Sequence, residues 1–233
     1  MIAVIRRLLQ RWVFDSRYPH SLAHRLRQRR WNLFRKLCSL PSDALLVDLG
    51  GLPDDGFAGF WPGPTLRVNI QRHSPRRPRD LAVVADAQAL PFRDQALSVV
   101  FCNSLLEHVG PWQDQQKAAR EIRRVAQRYF VQVPDRHAPI EPHYLLPFFQ
   151  FLPDAAQRRV HHWLPIGFIP RGGWLKVWLL SARELQTLFP AARIVRERFL
   201  GLPKSCYAVQ SSATMPESRA SRSSSHSPHG NPG

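Results

Sequence analysis

Between residues 43 and 135, five short apolar runs recur with polar turns between them, and this rhythm leaves few architectures open. The runs are ALLVDL (44–49), LRVNI (66–70), LAVVAD (81–86), LSVVFCN (97–103) and RYFVQVPD (128–135). They are rich in β-branched residues and nearly continuous in apolar character, the pattern of strands buried on both faces. The segment QDQQKAAREIRRVAQ (113–127) reads as a helix with Ala118, Ile122 and Val125 on one side. Strands alternating with such segments predict an α/β fold around a parallel sheet with crossover helices.

The flanking regions follow other rules. Residues 1–40 read as a basic helical extension. Ile2, Ile5, Leu9, Trp12 and Val13 recur at helical spacing, and Leu22, Leu26, Leu33 and Leu37 line a second face opposite RLRQRR. A basic amphipathic arm of this kind suits an anionic membrane surface or a partner, or covers the edge of the core domain. Within the main domain (41–210), residues 136–180 are aromatic, Pro-rich and His-rich and read as a lid or insertion. SARE (181–184) is a capping box that starts a helix near Ala182, which stops by Pro190. ARIVRERFLG and KSCYAVQ then read as two strands around an LPK turn. The tail 211–233 is Ser, Pro, His and Arg with almost no apolar residues, too polar to offset its ordering entropy.

Composition narrows the function classes. The formal charge of +16 on 233 residues is carried mostly by arginine and attracts phosphates, in nucleic acid or on a membrane. Cys38, Cys102 and Cys206 are far apart with no CxxC spacing, so the sequence suggests neither a metal site nor a disulfide framework, which fits a reducing compartment. No apolar run approaches the ~18 residues that span a bilayer, and the first residues are too charged for a signal peptide. A cytoplasmic protein, peripheral to a membrane through its arm, is the expectation.

In open parallel sheets, ligands bind beyond the carboxyl ends of the strands. Here those ends carry Asp48 with Gly50 and Gly51, then Asn69, then Asp86 with Ala87, then Asn103. Glycines permit a sharp turn and close ligand approach. Neither GxxxxGK[ST] nor GxGxxG is present, so neither a P-loop nor a dinucleotide fingerprint is indicated.

These residues resemble the class I S-adenosylmethionine-dependent methyltransferases, in particular the type 11 group. The strongest element is DAQALPFRDQALSVVFCNSLLEHV (86–109). The resemblance implies a Rossmann-like, mostly parallel seven-stranded sheet with helices on both faces and an antiparallel last strand. It implies S-adenosylmethionine as cofactor. Asp48 would orient the glycine loop, with Gly50 and Gly51 under the methionine part. Asn69 and the adjoining Ile70 would lie by the ribose, Asp86 and Ala87 by the adenine, and Asn103 at the edge near the transferred methyl. The chain departs from the family at two positions. Leu52 stands where a second loop glycine is usual, so that either Gly56 takes over after a longer loop or cofactor binding is weakened. Asn69 replaces a carboxylate.

A hydroxyl acceptor needs a base, and histidine suits this near neutral pH. His143 and His108 are the candidates, with Glu141 placed to orient His143. The aromatic lid points to a small-molecule or lipid- or glycan-linked acceptor. The alternatives are a non-catalytic scaffold of the same fold, or an enzyme acting on RNA, although no RNA-binding module is recognisable.

Overall fold

The computed structural model describes residues 18–52, 60–75, 77–170 and 172–211. The helix expected over residues 2–13, Gly56 and the tail from residue 212 lie outside the described residues. The elements run α1 (Leu22–Cys38), β1 (Leu46–Leu49), β2 (Thr65–Asn69), β3 (Leu81–Val84), β4 (Val100–Asn103), α2 (Trp112–Val125), β5 (Tyr129–Pro134), α3 (Asp154–Trp163), α4 (Ala182–Leu188), β6 (Arg193–Phe199) and β7 (Leu202–Gln210). They form one seven-stranded sheet in the order β3-β2-β1-β4-β5-β7-β6. The β3-β2-β1-β4-β5 pairings are parallel, and β7 is antiparallel to both of its neighbours. This is the Rossmann-like, mostly parallel sheet expected from the sequence.

The strand period of two divides the core. Val47, Leu49, Val100, Cys102, Val131, Val133, Cys206 and Ala208 point to the face covered by α2 and α4. Leu46, Phe101, Phe130, Tyr207 and Val209 point to the opposite face, where Trp31, Phe34 and Cys38 of α1 pack. The apolar side of α1 is thus its Trp31–Phe34–Cys38 edge, while Leu33 and Leu37 are only partly buried against it. Phe34 meets Phe101 and Phe130 edge-on, with ring centroids 5.1 and 5.6 Å apart. One residue of the basic run also turns inward. Arg30 donates to Asn103 Oδ1 and, at 3.1 Å, to Gln132 Oε1, and lies 3.8 Å from Glu197. α1 is therefore pinned across the strand ends by a cation as well as by aromatic packing.

Three details differ from the sequence expectation. β3 is an edge strand and its residues are largely exposed, because an apolar run records composition and not whether a neighbour covers it. The β6–β7 hairpin turns at Leu200 and Gly201, not at LPK, since both residues have positive φ (49° and 80°), as a two-residue type I′ turn requires. The lid contains a ten-residue helix, α3, which begins directly after Pro153, a position where proline costs the helix no hydrogen bond. The capping box stands as read. Ser181 Oγ accepts from Glu184 N, and Glu184 Oε2 accepts from Ser181 N at 2.8 Å.

The start of β2 is fixed by charge. Asp80 is buried between Arg77, at 2.8 Å, and Arg67, at 3.5 Å. Arg77 also donates to the carbonyls of Trp61 and Gly63 and to Thr65 Oγ1. Burial alone would raise the Asp80 pKa, but the Arg77 bond and the two guanidinium charges hold it below the ordinary carboxylate value. Asp80→Ala leaves Arg67 buried without its counter-charge, and we expect a loss of about 3–5 kcal/mol in urea unfolding. A depressed folded-state pKa stabilises fully above the ordinary carboxylate range, and this contribution disappears as pH falls through the folded value. The variant should accordingly show a shallower acid limb in its stability profile than the parent.

Candidate active site

The strand order reverses between β1 and β4, and it is there that a crevice opens at the carboxyl ends of a parallel sheet. A cavity of about 210 Å³ occupies this position. Its lining includes Gly50, Asn69, Ile70, Asp86, Ala87 and His108. Three of the four strand ends singled out in the sequence therefore converge on one space or on its floor.

That floor is the Asp48–Gly50–Gly51 turn. Asp48 is buried (3% exposed) and sits under the loop rather than in the cavity lining. Gly50 has φ +81°, and a Cβ there would lie 2.8 Å from Leu105 Cδ1. A Cβ on Gly51 would lie 2.0 Å from Asp48 Oδ2, so no other residue fits beside that carboxylate without displacing it. Asn69 secures the turn from the neighbouring strand. Its Nδ2 donates to the carbonyls of Gly50 (3.2 Å) and Gly51 (3.3 Å), and its Oδ1 accepts from Gln71 N at 3.0 Å. An aspartate has no donor for those two carbonyls. The departure from a carboxylate at this position thus has a structural counterpart in the loop. Asp86 Oδ1 accepts from Gln88 N at 2.9 Å, which holds the turn after β3. Leu52, the other departure, is 46% exposed and lies outside the cavity lining.

Asn103 lies elsewhere than the sequence placed it. It shares the α1-facing side of the sheet with Phe101, and its carboxamide oxygen is bound by Arg30, so it is absent from the cavity lining. The residue after it, Ser104, has φ +53° and donates to Gln132 Oε1 at 2.9 Å. This turn directs Leu105 and the short 3₁₀ segment Leu106–His108 toward the cavity.

His108 belongs to two assemblies. It lines the cavity, and its Nε2 lies 3.2 Å from His143 Nε2. Behind His143 stands Glu141, buried at 2% exposure. Its Oε1 meets His143 Nδ1 at 2.7 Å, and its Oε2 accepts from the backbone N–H of His143 (2.8 Å) and Tyr144 (2.6 Å). An acceptor-only carboxylate at Nδ1 fixes the tautomer, so the Nε2 lone pair of His143 faces His108. Burial opposes a charged His143, but the bond to Glu141 and the charges of Glu141 and Glu107 hold its pKa above the ordinary imidazole value. Burial, with repulsion from His143, pushes His108 down to about 4.

Glu107 was missed in the sequence reading. It is fully buried beside these histidines, and burial pushes its pKa up to about 7, against the charges of His143 and Arg30. Its backbone carbonyl accepts from Trp178 N at 2.9 Å, tying the lid to this turn. The signal was its place between Leu106 and His108 in a turn already marked as informative. A second cavity, of about 220 Å³, lies under the lid, lined by Arg136, Glu141, Tyr144, Phe149 and Trp178 among others. Glu141 is common to that wall and to the histidine pair.

A parallel sheet with a glycine cradle at its switch point defines a class I cofactor-binding α/β domain. Residues 64–129 match the family model described as a methyltransferase domain. The fold is similar to that of the PH0226 protein of Pyrococcus horikoshii OT3 (TM-score 0.56, 15% identity, 90% of this chain and 98% of that one). It is also similar to the 1,6-didemethyltoxoflavin-N1-methyltransferase of Burkholderia thailandensis, solved with 1,6-didemethyltoxoflavin and S-adenosylhomocysteine bound (TM-score 0.50, 13% identity, 91% and 88%). No curated protein matches the sequence. Residues 64–129 thus carry the sequence pattern of a methyltransferase domain, within a fold shared with S-adenosylmethionine-dependent methyltransferases.

The residues present fit that cofactor. Gly50 and Gly51 make a turn too close to Leu105 and Asp48 for a Cβ, with Gly50 on the cavity wall, and Asn69 and Asp86 bring polar groups to an otherwise largely apolar cavity. Gly51→Ala should abolish the response to S-adenosylhomocysteine, which for the parent is about 2.7 kcal/mol of added stability at 100 times Kd. Leu52→Ala should retain it, with thermal shift as the measurement for both.

Proposed function

We propose that this enzyme methylates a hydroxyl oxygen of a small-molecule, lipid-linked or glycan-linked acceptor. The observation that carries the reading is the position of His108. It forms part of the cofactor cavity wall and simultaneously meets a histidine that is braced by a buried carboxylate. When bound, S-adenosylmethionine supplies an electrophilic methyl group on a sulfonium. Asp48, Gly50, Gly51 and Asn69 shape the turn beneath it, with Ile70, Asp86 and Ala87 along the cavity wall. Glu141, His143 and His108 prepare the acceptor, because an oxygen nucleophile must lose its proton in the course of transfer.

The lid supports an acceptor with apolar parts. Tyr144, Phe149 and Trp178 line its cavity, together with Arg136 and Lys176, which pair with Glu184 and Asp154. The backbone of Phe168 bonds His143 O at 2.8 Å, so the lid packs directly over the histidine loop. Phe148, Trp163 and Phe168 are 62%, 71% and 60% exposed, apolar surface suited to a lipid-linked substrate. No helix among the described residues is long and apolar enough to cross a membrane. In this reading membrane contact is peripheral, with the arginine-rich N-terminal arm as the attracting charge.

His143→Ala should lower kcat by about 10²-fold or more, the range for loss of an acid–base group. Its affinity for S-adenosylhomocysteine should stay within about threefold of the parent, because His143 is not part of the cofactor cavity. A methyl-label assay on cell fractions supplies the turnover measurement. Unchanged kcat in this variant would remove the assignment.

A further inference from the structure

We propose that Glu107, His108 and His143 form a binding site for one divalent transition-metal ion, of the zinc type, between the cofactor cavity and the lid. One ligand atom from each residue lies within 4.8 Å of the other two. The two imidazole nitrogens are 3.2 Å apart, with rings almost perpendicular at 89°. A tetrahedral zinc ion with Zn–N distances of 2.0–2.1 Å holds two such nitrogens about 3.3–3.4 Å apart. The observed pair is therefore already close to ligating distance.

Two independent observations point to a cation. Both carboxylate oxygens of Glu107 are buried and neither makes a well-formed hydrogen bond among the described residues, although Ser104 lies near enough to favour the charged form, and the residue has no exposure. A buried carboxylate in that state is costly unless a charge is placed beside it, and a metal ion supplies one. Glu141 stands behind His143 at 2.7 Å from Nδ1. A carboxylate on the far nitrogen is the usual support of a metal-ligating histidine, since it fixes the tautomer and the ring orientation. Two histidines and one carboxylate also leave a coordination position open, as catalytic zinc sites do. His108 places that position next to the cofactor cavity.

Binding of the ion stands on the geometry alone, whereas its use in catalysis rests on the function proposed above. A cation here would hold the acceptor hydroxyl as a Lewis acid and lower its pKa, so that the proton would leave to water while the oxygen–methyl bond forms, the sulfonium–methyl bond breaks and the neutral thioether departs.

The full-length chain, stripped with a chelator, should be titrated with Zn²⁺ by calorimetry and with Co²⁺ by visible absorption. One equivalent should bind. Glu107→Gln and His143→Ala should weaken binding at least tenfold, and Glu141→Gln by about 10–100-fold. His162→Ala, on an exposed lid histidine, should leave binding unchanged. Each variant's thermal shift with S-adenosylhomocysteine shows that it is folded and that the cofactor site is intact. No binding by the stripped protein, or equal binding by the Glu107 and His143 variants, overturns the proposal. Full turnover by the stripped enzyme overturns the ion's part in the reaction and leaves the imidazoles as the base. Loss of the cofactor response in the parent chain would instead count against the methyltransferase reading itself.

Discussion

Everything at the site depends on the parallel pairing of β1 between β2 and β4. Val47 opposes Val100, and Leu49 opposes both Val68 and Cys102, so the central strands end in step. Because the chain runs outward to β3 in one direction and to β5 in the other, nothing crosses the gap between the ends of β1 and β4. The turns that follow these strands face one another over that gap. Burial of both strand faces fixes the register, since a slip by one residue would exchange the two cores.

Polar residues in this framework serve first to hold loops. Asp48 and Asn69 grip the glycine turn from below and from the side. Glu141 spends one carboxylate oxygen on two backbone N–H groups and the other on His143. Such bonding keeps the reactive groups in a single arrangement before any substrate arrives, which lowers the cost of reaching the transition state. The lid adds to this through Trp178 on the Glu107 turn, Phe168 on His143, and Tyr144, which exchanges hydrogen bonds with Leu175 at 2.8 and 2.9 Å.

The sequence was most legible where periodicity and end signals coincide. The five parallel strands, the helix of residues 112–125 and the Ser181 capping box follow from local pattern. The cavity residues Gly50, Asn69, Ile70, Asp86, Ala87 and His108 were legible because each occupies or adjoins a strand end, or lies in the 86–109 stretch. Asn103 shares the strand-end position, but strand alternation points it to the α1 side, where Arg30 binds it. Arg30 itself was read as part of the basic face opposite the leucines. One inward position in a charged run leaves no trace in composition, because it depends on what lies opposite. The exposure of β3 was hidden for the same reason.

By itself the sequence determined the alternation of strands and helix, the turn chemistry at the strand ends and the resemblance carried by residues 86–109. Those properties are local, written in residues within a few positions of one another. Tertiary structure decided which strand ends meet, that Asn69 bonds the glycine turn, and that His108 and His143, 35 positions apart, stand 3.2 Å from each other beside a buried Glu107. Contacts over such separations arise only when the sheet closes the intervening chain, so no spacing rule along the sequence contains them.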